Sequence, residues 1–406
     1  MNKILHSSSA ALIGAFLCIL LNPTVVGFYS FTIFFNSLSA ELGWGHGVLG
    51  LAITIGTLTI AVVAPFLGGV ADRGGARKLV VSSAVLLAAL LGAMPWLCKS
   101  LIGLYLSFAL IGVLAAGYYV SLPRIISSWF DGRRGLALGF VMSGTGLGSA
   151  VLSPVLARTI AQSGWTTGYF LLAIAVLVVA VPSALFLVHE RKMPPAALSE
   201  VQIAKPKIGA ELILFAVAFF FMGLGLHGVL INFSPILTSR GLSPAEAAGV
   251  FALAGIAMFL GRIGCGFLLD LFPANRIGAV LMLGAAGGVA ALSYADSRSA
   301  FIVAACLFGL GVSAELDLLS YIISRRYPIA HFSRLFAFVY AAFMVGTSFG
   351  PPLVGGLYDK FGNYFVGTWG SAALVAVSAV ALACMPKTPT RASVKSDASF
   401  GAAAAQ

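Results

Sequence analysis

The residue that most clearly suggests chemistry is Arg262, which lies inside the apolar run from Val250 to Asp270. A run of about 20 apolar residues can cross a bilayer as a helix. A guanidinium keeps its charge there and is costly to bury, so such a residue marks a functional site by default. Gly255 and Gly266 share its helical face, which predicts that this face meets other helices or a water-filled cavity. Arg262 is predicted to bind an anion; an ion pair with a neighbouring helix is the alternative.

Two carboxyl groups lie in the apolar run Gly311–Arg326, at Glu315 and Asp317. Residues two apart on a helix point to roughly opposite sides. Asp317 shares a polar stripe at helical spacing with three serines, Ser313, Ser320 and Ser324. The stripe favours Asp317 facing a cavity and Glu315 facing a neighbouring helix. Either carboxyl could neutralise Arg262, and it could take up a proton when a bound anion displaces it from the guanidinium. Asp317 or Glu315 is therefore predicted to be the proton-coupling residue. A permanent ion pair with Arg262, or with the two arginines that end the run, stays open.

His227 is the only histidine well inside an apolar run. Its charge can change near physiological pH, so it is a candidate proton relay, with a hydrogen bond to a neighbouring helix as the alternative. Three further polar residues, Asn22, Tyr119 and Tyr340, could donate hydrogen bonds to a bound carboxylate. Helix packing is the alternative for each of these three.

The chain around these residues has the composition of a membrane protein. Its 406 residues are 60% hydrophobic and 9% charged, which excludes a soluble globular domain. Twelve apolar runs predict an all-α membrane protein with twelve transmembrane helices. The longest polar segment divides these runs six and six. We therefore predict six-helix bundles at residues 1–190 and 209–386, a cytoplasmic linker at 191–208 and a disordered tail at 387–406.

The positive charges are distributed asymmetrically along the chain. Of the 24 Lys and Arg residues, 18 lie at the ends of runs that share a side with the N-terminus, and five lie at the opposite ends. Arg262 is the remaining one. The positive-inside rule then predicts both termini in the cytoplasm, in a cytoplasmic (inner) membrane. The net charge of +11 is explained by topology, so no nucleic-acid partner is expected.

Paired signals recur in the two halves of the chain. Gly68 precedes Asp72 by four residues at the end of the second run, and Gly266 precedes Asp270 likewise at the end of the eighth. Asp72 is predicted to cap or pair with the start of a partner helix, and Asp270 to do so with Arg133 or Arg134. The predicted gate residues are Asp72, Arg73, Arg77, Lys78, Asp270, Arg133 and Arg134. A solvated positive loop is the alternative. Two such halves around a midplane site are typical of transporters.

Three motifs also carry a family resemblance. GGVADRGGARK at 68–78 resembles the loop signature of the major facilitator superfamily. WFDGRRGLALGFVMSGTGLG at 129–148 resembles the fifth-helix signature of its monocarboxylate transporter branch. LGRIGCG at 260–266 resembles the eighth-helix arginine of that branch and of the oxalate/formate exchangers. The resemblance implies the major facilitator fold, with two pseudo-symmetric six-helix bundles and transport by alternating access.

The sequence also departs from those relatives. Met258 stands one turn before Arg262, where many animal monocarboxylate transporters have aspartate, and residues 335–357 lack the lysine of the oxalate exchangers. The expected function is proton symport of a small organic monocarboxylate by a monomer in the lipid bilayer. An anion exchanger or a transporter of another small solute is the alternative, and a non-transporting membrane sensor a remote one. We expect no enzymatic activity, no cofactor and no metal.

Overall fold

The computed structural model describes residues 7–130, 132–191 and 209–386. Within these ranges the chain forms helices and turns without any strand, so the all-α prediction is confirmed. The predicted tail at 387–406, and all of the predicted linker at 191–208 except residue 191, lie outside the described residues.

Long helices follow one another along the described chain. In chain order they are α1 (Ser8–Leu20), α2 (Ser30–Leu42), α3 (His46–Val70), α4 (Ala76–Leu97), α5 (Leu101–Trp129), α6 (Arg134–Ala175), α7 (Ala210–Ser239), α8 (Pro244–Leu271), α9 (Ala274–Ala291), α10 (Arg298–Arg326), α11 (Phe332–Phe361) and α12 (Phe365–Ala383). Wider, π-helical turns lie at Thr24–Tyr29, Ala71–Gly75, Val176–Ala180 and Ser183–Leu187, and a 3₁₀ turn at Ile329–His331.

Ten continuous helical stretches of the described chain are long and apolar enough to cross a membrane. Two of them, Val48–Leu97 and Arg134–Leu187, are 50 and 54 residues long. At about 1.5 Å per residue each would extend well over twice the ~30 Å of a hydrocarbon core. Both are interrupted by a left-handed glycine, Gly74 at φ 83° and Gly164 at φ 81°. Counting each long stretch as two crossings agrees with the twelve crossings expected from the sequence.

The contacts group the described residues into two compact units. The first comprises residues 7–129, 141–191 and 329–345, and the second comprises 130–140, 209–328 and 346–386. Each unit thus contains a short segment from the other half of the sequence. The start of α6 belongs to the second unit, and the start of α11 belongs to the first. Hydropathy alone did not indicate this exchange.

Close helix packing in the second unit brings α8 against α10. A Cβ atom added to Gly261 would lie 2.6 Å from Ser313 Oγ, and one added to Gly309 would lie 2.5 Å from the carbonyl oxygen of Ala254. Small residues of this kind let two membrane helices approach closely. The helix that carries Arg262 is therefore packed on the helix that carries the two carboxyl groups.

Candidate functional site

The centre of the candidate site is formed by α8 and α10. Arg262 is half-buried on α8 and interacts electrostatically with both carboxyl groups of α10. Glu315 is 5% exposed and Asp317 is 0% exposed. The structure therefore brings together the cation and the two carboxyl groups that the sequence singled out on separate helices.

His227 joins this group from α7. Its Nδ1 atom lies 3.6 Å from Glu315 Oε1, so Glu315 faces a neighbouring helix, as the serine stripe predicted. The two groups form a charged pair when the imidazole is protonated and the carboxyl is not. Four predicted site residues, Arg262, Glu315, Asp317 and His227, thus lie in one cluster of α7, α8 and α10 in the second unit.

Asp317 is the least satisfied member of the cluster. Neither of its carboxyl oxygens has a hydrogen-bond partner among the described residues. The three serines of the polar stripe do not supply one. Ser313 and Ser324 donate to carbonyl oxygens of their own helix, at 2.7 and 2.8 Å, and Ser320 Oγ has no hydrogen-bond partner among the described residues. A buried polar group without partners is costly. Asp317 is therefore a group whose free energy depends strongly on whether it carries a proton.

Tyr119 and Tyr340 meet each other in the first unit. Their ring centroids are 5.6 Å apart and both side chains are almost fully buried. Tyr340 also packs on Phe336 and Phe343 of its own helix, with centroids 5.5 and 6.3 Å away. These contacts place the two tyrosines in an aromatic group shared by α5 and α11. Their predicted contact with substrate stays a prediction.

Asn22 is fully buried where α1 gives way to the π-helical turn. Its Oδ1 atom accepts the N–H groups of Thr24 and Val25, at 2.8 and 3.2 Å. Its Nδ2 atom donates to the carbonyl oxygen of Ile19 at 2.6 Å and to Thr145 Oγ1 at 3.3 Å. The amide thus satisfies backbone groups that the helix break would leave unpaired. These bonds favour a structural role over the predicted contact with substrate.

Asp72 caps α11, as the sequence suggested for a partner helix. Its Oδ1 and Oδ2 atoms accept the N–H groups of Ser333 and Arg334, each at 2.9 Å. These N–H groups lie in the first turn of the helix, where they have no partner within the helix and where the helix dipole favours an anion. Gly68 allows the approach, since a Cβ atom there would lie 2.6 Å from the carbonyl oxygen of Ser333.

Asp270 repeats this arrangement in the second unit. Its two carboxylate oxygens accept the N–H groups of Gly135 and Leu136, in the first turn of α6, at 2.9 and 3.1 Å. A Cβ atom on Gly266 would lie 2.6 Å from the carbonyl oxygen of Gly135. The bonds go to backbone N–H groups beside Arg134, whose side chain donates to carbonyl oxygens at 3.0 and 2.6 Å. We refer to the two arrangements as the Asp72 cap and the Asp270 cap.

Four predicted gate residues remain, Arg73, Arg77, Lys78 and Arg133. Arg77 donates to the carbonyl oxygen of Leu185 at 2.7 Å, which anchors the start of α4 on the end of the sixth crossing. Arg73, Lys78 and Arg133 are exposed. Exposed basic side chains are also expected for solvated cytoplasmic loops under the positive-inside rule, which is the alternative to a gate.

Two residues associated with the Asp72 cap, Arg124 and Glu190, were not predicted from the sequence. Arg124, which is almost fully buried, places Nη1 3.5 Å from Asp72 Oδ1 and Nη2 2.9 Å from Glu190 Oε1, and it also donates to the carbonyl oxygen of Ala71. The sequence signal for Arg124 is a basic residue inside a long apolar helix, but the asymmetric charge distribution accounts for such a residue equally well. Burial raises the pKa of the Glu190 carboxyl; the charge of Arg124 opposes this shift and that of Asp72 adds to it.

No grouping of His, Cys, Asp and Glu within the described ranges is suited to hold a metal ion. The five cysteines, all of them in those ranges, are free thiols.

Comparisons with known proteins are consistent with this architecture. The Major Facilitator Superfamily profile matches residues 15–299 and 288–404. The chain is 26% identical over 264 residues to the Uncharacterized MFS-type transporter YcxA of Bacillus subtilis (strain 168), covering 61% of this chain and 62% of that protein. It is 23% identical over 375 residues to Monocarboxylate transporter 12 of Homo sapiens, covering 83% and 71%. The structure of the proton:xylose symporter XylE superposes with a TM-score of 0.74 at 15% identity, over 94% of this chain and 96% of that one.

Proposed function

Because this chain belongs to the Major Facilitator Superfamily, a family of membrane transporters, we propose that it moves a small organic monocarboxylate together with a proton. It would act as a secondary active transporter by alternating access. It would lie in a cytoplasmic membrane, with both termini in the cytoplasm. Similarity to Monocarboxylate transporter 12 supports the substrate class named here.

The observation that carries the proposal is the placement of Arg262 beside two buried carboxyl groups. A guanidinium presents parallel N–H donors that match one carboxylate in a bidentate pair. Glu315 and Asp317 interact with the same guanidinium from α10. A substrate carboxylate would therefore compete with a resident carboxyl for one cation. Arg262 is the only guanidinium that we assign to this cluster of described residues, and one such cation suits a single carboxylate better than two.

This competition provides a route to proton coupling. While Arg262 serves as its counter-ion, a resident carboxyl can stay ionised inside the protein. When the substrate takes the guanidinium, the carboxyl is left desolvated and unpaired, which favours its protonated form. Asp317 is the better candidate, because both of its oxygens lack a hydrogen-bond partner among the described residues. Glu315 has His227 beside it as a second possible counter-ion.

The Asp72 and Asp270 caps provide contacts that would break and reform during the cycle. Each joins the end of one membrane helix to the first turn of another through two hydrogen bonds. Such small, reversible contacts suit a gate better than a permanent interface, because each contributes only about 1 kcal/mol.

A thermal-shift screen of the purified protein against mono- and dicarboxylates tests the substrate class, since a bound ligand stabilises the native state. Proteoliposome uptake of the best monocarboxylate should then rise when the outside is acidified. Stabilisation by dicarboxylates alone would reject the proposed class. Uptake that needs internal anion and ignores the pH gradient would favour the alternative, an anion exchanger.

A further inference from the structure

One face of α10 runs from Asp317 to the end of the helix that the charge distribution predicts to be cytoplasmic. Ser320, Tyr321 and Ser324 follow Asp317 at spacings of three, four and seven residues, so the four side chains lie along one side of the helix. None of the four is more than 8% exposed. At about 1.5 Å per residue, this α10 face is roughly 10 Å long. The proposed function uses only its first residue.

Two neighbours on the α10 face have unsatisfied oxygen atoms. Ser320 Oγ, like both carboxyl oxygens of Asp317, lacks a hydrogen-bond partner among the described residues. A serine within a helix can donate to a carbonyl oxygen one turn back, as Ser313 and Ser324 do on the same helix. Ser320 and Asp317 are one turn apart but are not bonded to each other, so one water molecule between them would satisfy both. A hydroxyl and a water in this arrangement can pass on a proton, since each both donates and accepts.

The charged and titratable groups around Asp317 come from neighbouring helices. Arg262 and Cys265 of α8 interact electrostatically with Asp317. Glu315 points to another neighbour and faces His227 of α7. On a further side, α9 packs on α10 through glycine, alanine and leucine. Arg262 has a fixed charge, so loss of a proton from Asp317 restores an ion pair between these two residues.

The other end of the α10 face meets the Asp270 cap. Tyr321 interacts electrostatically with Asp270 and Arg134, and the Arg325 guanidinium lies 5.3 Å from the centre of its ring. Arg134 Nη1 also donates to the carbonyl oxygen of Ser324 at 2.6 Å. Two guanidinium groups therefore lie at this end of the face while the cap is closed, and they repel an excess proton. Opening the cap would separate α6 from α8 and carry Arg134 away with α6.

We propose that the α10 face carries the coupled proton between Asp317 and the cytoplasm, with Ser320 as the relay and the Asp270 cap as the gate. This inference rests on the proposed proton coupling at Asp317. When the cap opens, the acid form of Asp317 gives its proton to the bridging water. That water passes a proton to Ser320 Oγ, whose own hydroxyl proton goes on to water that enters from the cytoplasm. Each O–H bond that breaks is replaced by one that forms, and the carboxylate left behind pairs again with Arg262.

Ser320→Thr and Ser320→Val test the relay, because the two new side chains have nearly the same shape and differ in the hydroxyl group. Net uptake driven by a pH gradient and exchange of labelled for unlabelled substrate are measured in the same proteoliposomes. Ser320→Val should slow net uptake at least about tenfold relative to Ser320→Thr, less than the roughly 100-fold typical of a positioned proton-transfer group because water can replace part of its role. Exchange should stay within a few-fold in both variants, since a loaded carrier exchanges substrate without releasing its proton. A purely structural defect would slow exchange as well.

Ser378 on α12 provides the matched control. It is 0% exposed, and its Oγ atom also lacks a hydrogen-bond partner in the described part of the chain. It lies outside the α10 face. Ser378→Thr and Ser378→Val should therefore have the same ratio of net uptake to exchange. A difference between them as large as in the Ser320 pair would overturn the relay, because any buried hydroxyl would then have the same effect.

The gate is tested by labelling Ser320→Cys from the cytoplasmic side with a small charged thiol reagent and measuring modification at this position by mass spectrometry. Adding Asp270→Asn weakens the cap by about 1 kcal/mol, so the labelling rate should rise about fivefold. Equal labelling with and without Asp270→Asn would overturn the gate.

Ser320→Ala decides the relay where the larger side chains prevent folding, because it adds no bulk and should also slow net uptake selectively. Parental net uptake in Ser320→Ala would overturn the relay, as would equal net uptake in folded Ser320→Thr and Ser320→Val. A parent whose uptake ignores the pH gradient would instead reject the proposed proton coupling itself. The two failures are therefore distinguishable.

Discussion

A guanidinium, two carboxyl groups and an imidazole share one membrane-buried cluster, and their types constrain what the cluster can do. Arg262 is the only one of the four whose charge is fixed at physiological pH. The other three, Glu315, Asp317 and His227, can all gain or lose a proton. We therefore propose that the arginine binds the anion and that one of its neighbours carries the proton.

Replacing Arg262 tests the first assignment. Arg262→Lys keeps the charge but loses one of two parallel charge-assisted hydrogen bonds, so substrate affinity should fall roughly tenfold. Arg262→Ala should reduce it at least about 30-fold, because a bound anion would lose its charged partner. Substrate-induced thermal stabilisation in detergent measures both. Unchanged affinity in Arg262→Ala would mean that the substrate binds elsewhere.

Replacing the carboxyl groups tests proton coupling. Asp317→Asn should abolish accumulation driven by a pH gradient while leaving exchange of labelled for unlabelled substrate, because an amide cannot titrate. Glu315→Gln should affect accumulation less, since His227 lies 3.6 Å from this carboxyl and can compensate for its charge. Both assays use the same proteoliposomes. If both variants accumulate substrate like the parent, neither carboxyl couples, and His227 or the substrate itself must carry the proton.

At the scale of helices, the two caps have the same role. Each helix start has N–H groups that need acceptors, and each is supplied with a carboxylate by a helix end from elsewhere in the chain. The glycine one turn before each aspartate removes the Cβ atom that would hold the helices apart. The recurrence of this pair makes the caps a matched set for mutation.

Weakening a cap should change the rate of transport and leave affinity within a few-fold. Asp72→Asn loses the charge that favours the first turn of α11, which corresponds to about 1 kcal/mol, or about fivefold in the open-to-closed ratio. Gly68→Ala should act in the same direction by steric separation. Gly69→Ala is the matched control, since nothing lies within 4 Å of a Cβ atom there. A large loss of affinity at normal turnover in Asp72→Asn would rule out a gating role.

The carboxyl of Glu190 gives the Asp72 cap a dependence on pH. Burial raises its pKa, so its protonated form is the one favoured by folding. That contribution is complete below the pKa of the unfolded chain and is lost as pH rises through the higher folded value. Glu190→Gln should remove this pH-dependent loss of stability, because an amide does not titrate. The Tm of the variant relative to the parent should therefore increase as the pH rises above about 4.3, the ordinary pKa of a glutamate, as measured by thermal unfolding in detergent.

Glu246 supplies a control of opposite sign. Hydrogen bonds from Ser243 at the start of α8 lower its pKa, so its contribution is present above the unfolded value and lost as pH falls. Glu246→Gln should therefore lower the Tm at neutral pH and approach the parent under acidic conditions. A Glu190→Gln profile with the same sign as this one would contradict the assigned shift.

For the whole molecule, co-transport of one monocarboxylate anion with one proton moves no net charge. Uptake driven by a pH gradient should then be insensitive to a membrane potential imposed with potassium and valinomycin. The measurement compares initial uptake rates at zero potential and at about 100 mV, where each net charge moved would change the driving force by about 2.3 kcal/mol. A rate that follows the potential would require a different stoichiometry.

The sequence predicted the fold well because its strongest signals are local. Apolar runs, the charge asymmetry and the Gly68–Asp72 motif each depend on a few neighbouring residues. It also predicted Glu315 facing a neighbouring helix and Asp72 capping another. The residues that contact these side chains could not be predicted from the sequence. Whether Asn22 contacts substrate or repairs a helix break, and whether Arg124 is a topology charge or a cap residue, depends on what packs beside them.

Because each unit contains a segment from the other half of the sequence, the order of synthesis determines when each unit can be completed. Asp72 and Ser333 are 261 residues apart. A ribosome that adds about 5–20 residues per second needs roughly 13–50 s to make that length. Throughout this time the nascent first unit lacks residues 329–345, which belong to it. Most of the second unit is therefore synthesised before the first is complete. A fragment that stops near residue 190 would thus be an unfinished assembly rather than an independent half.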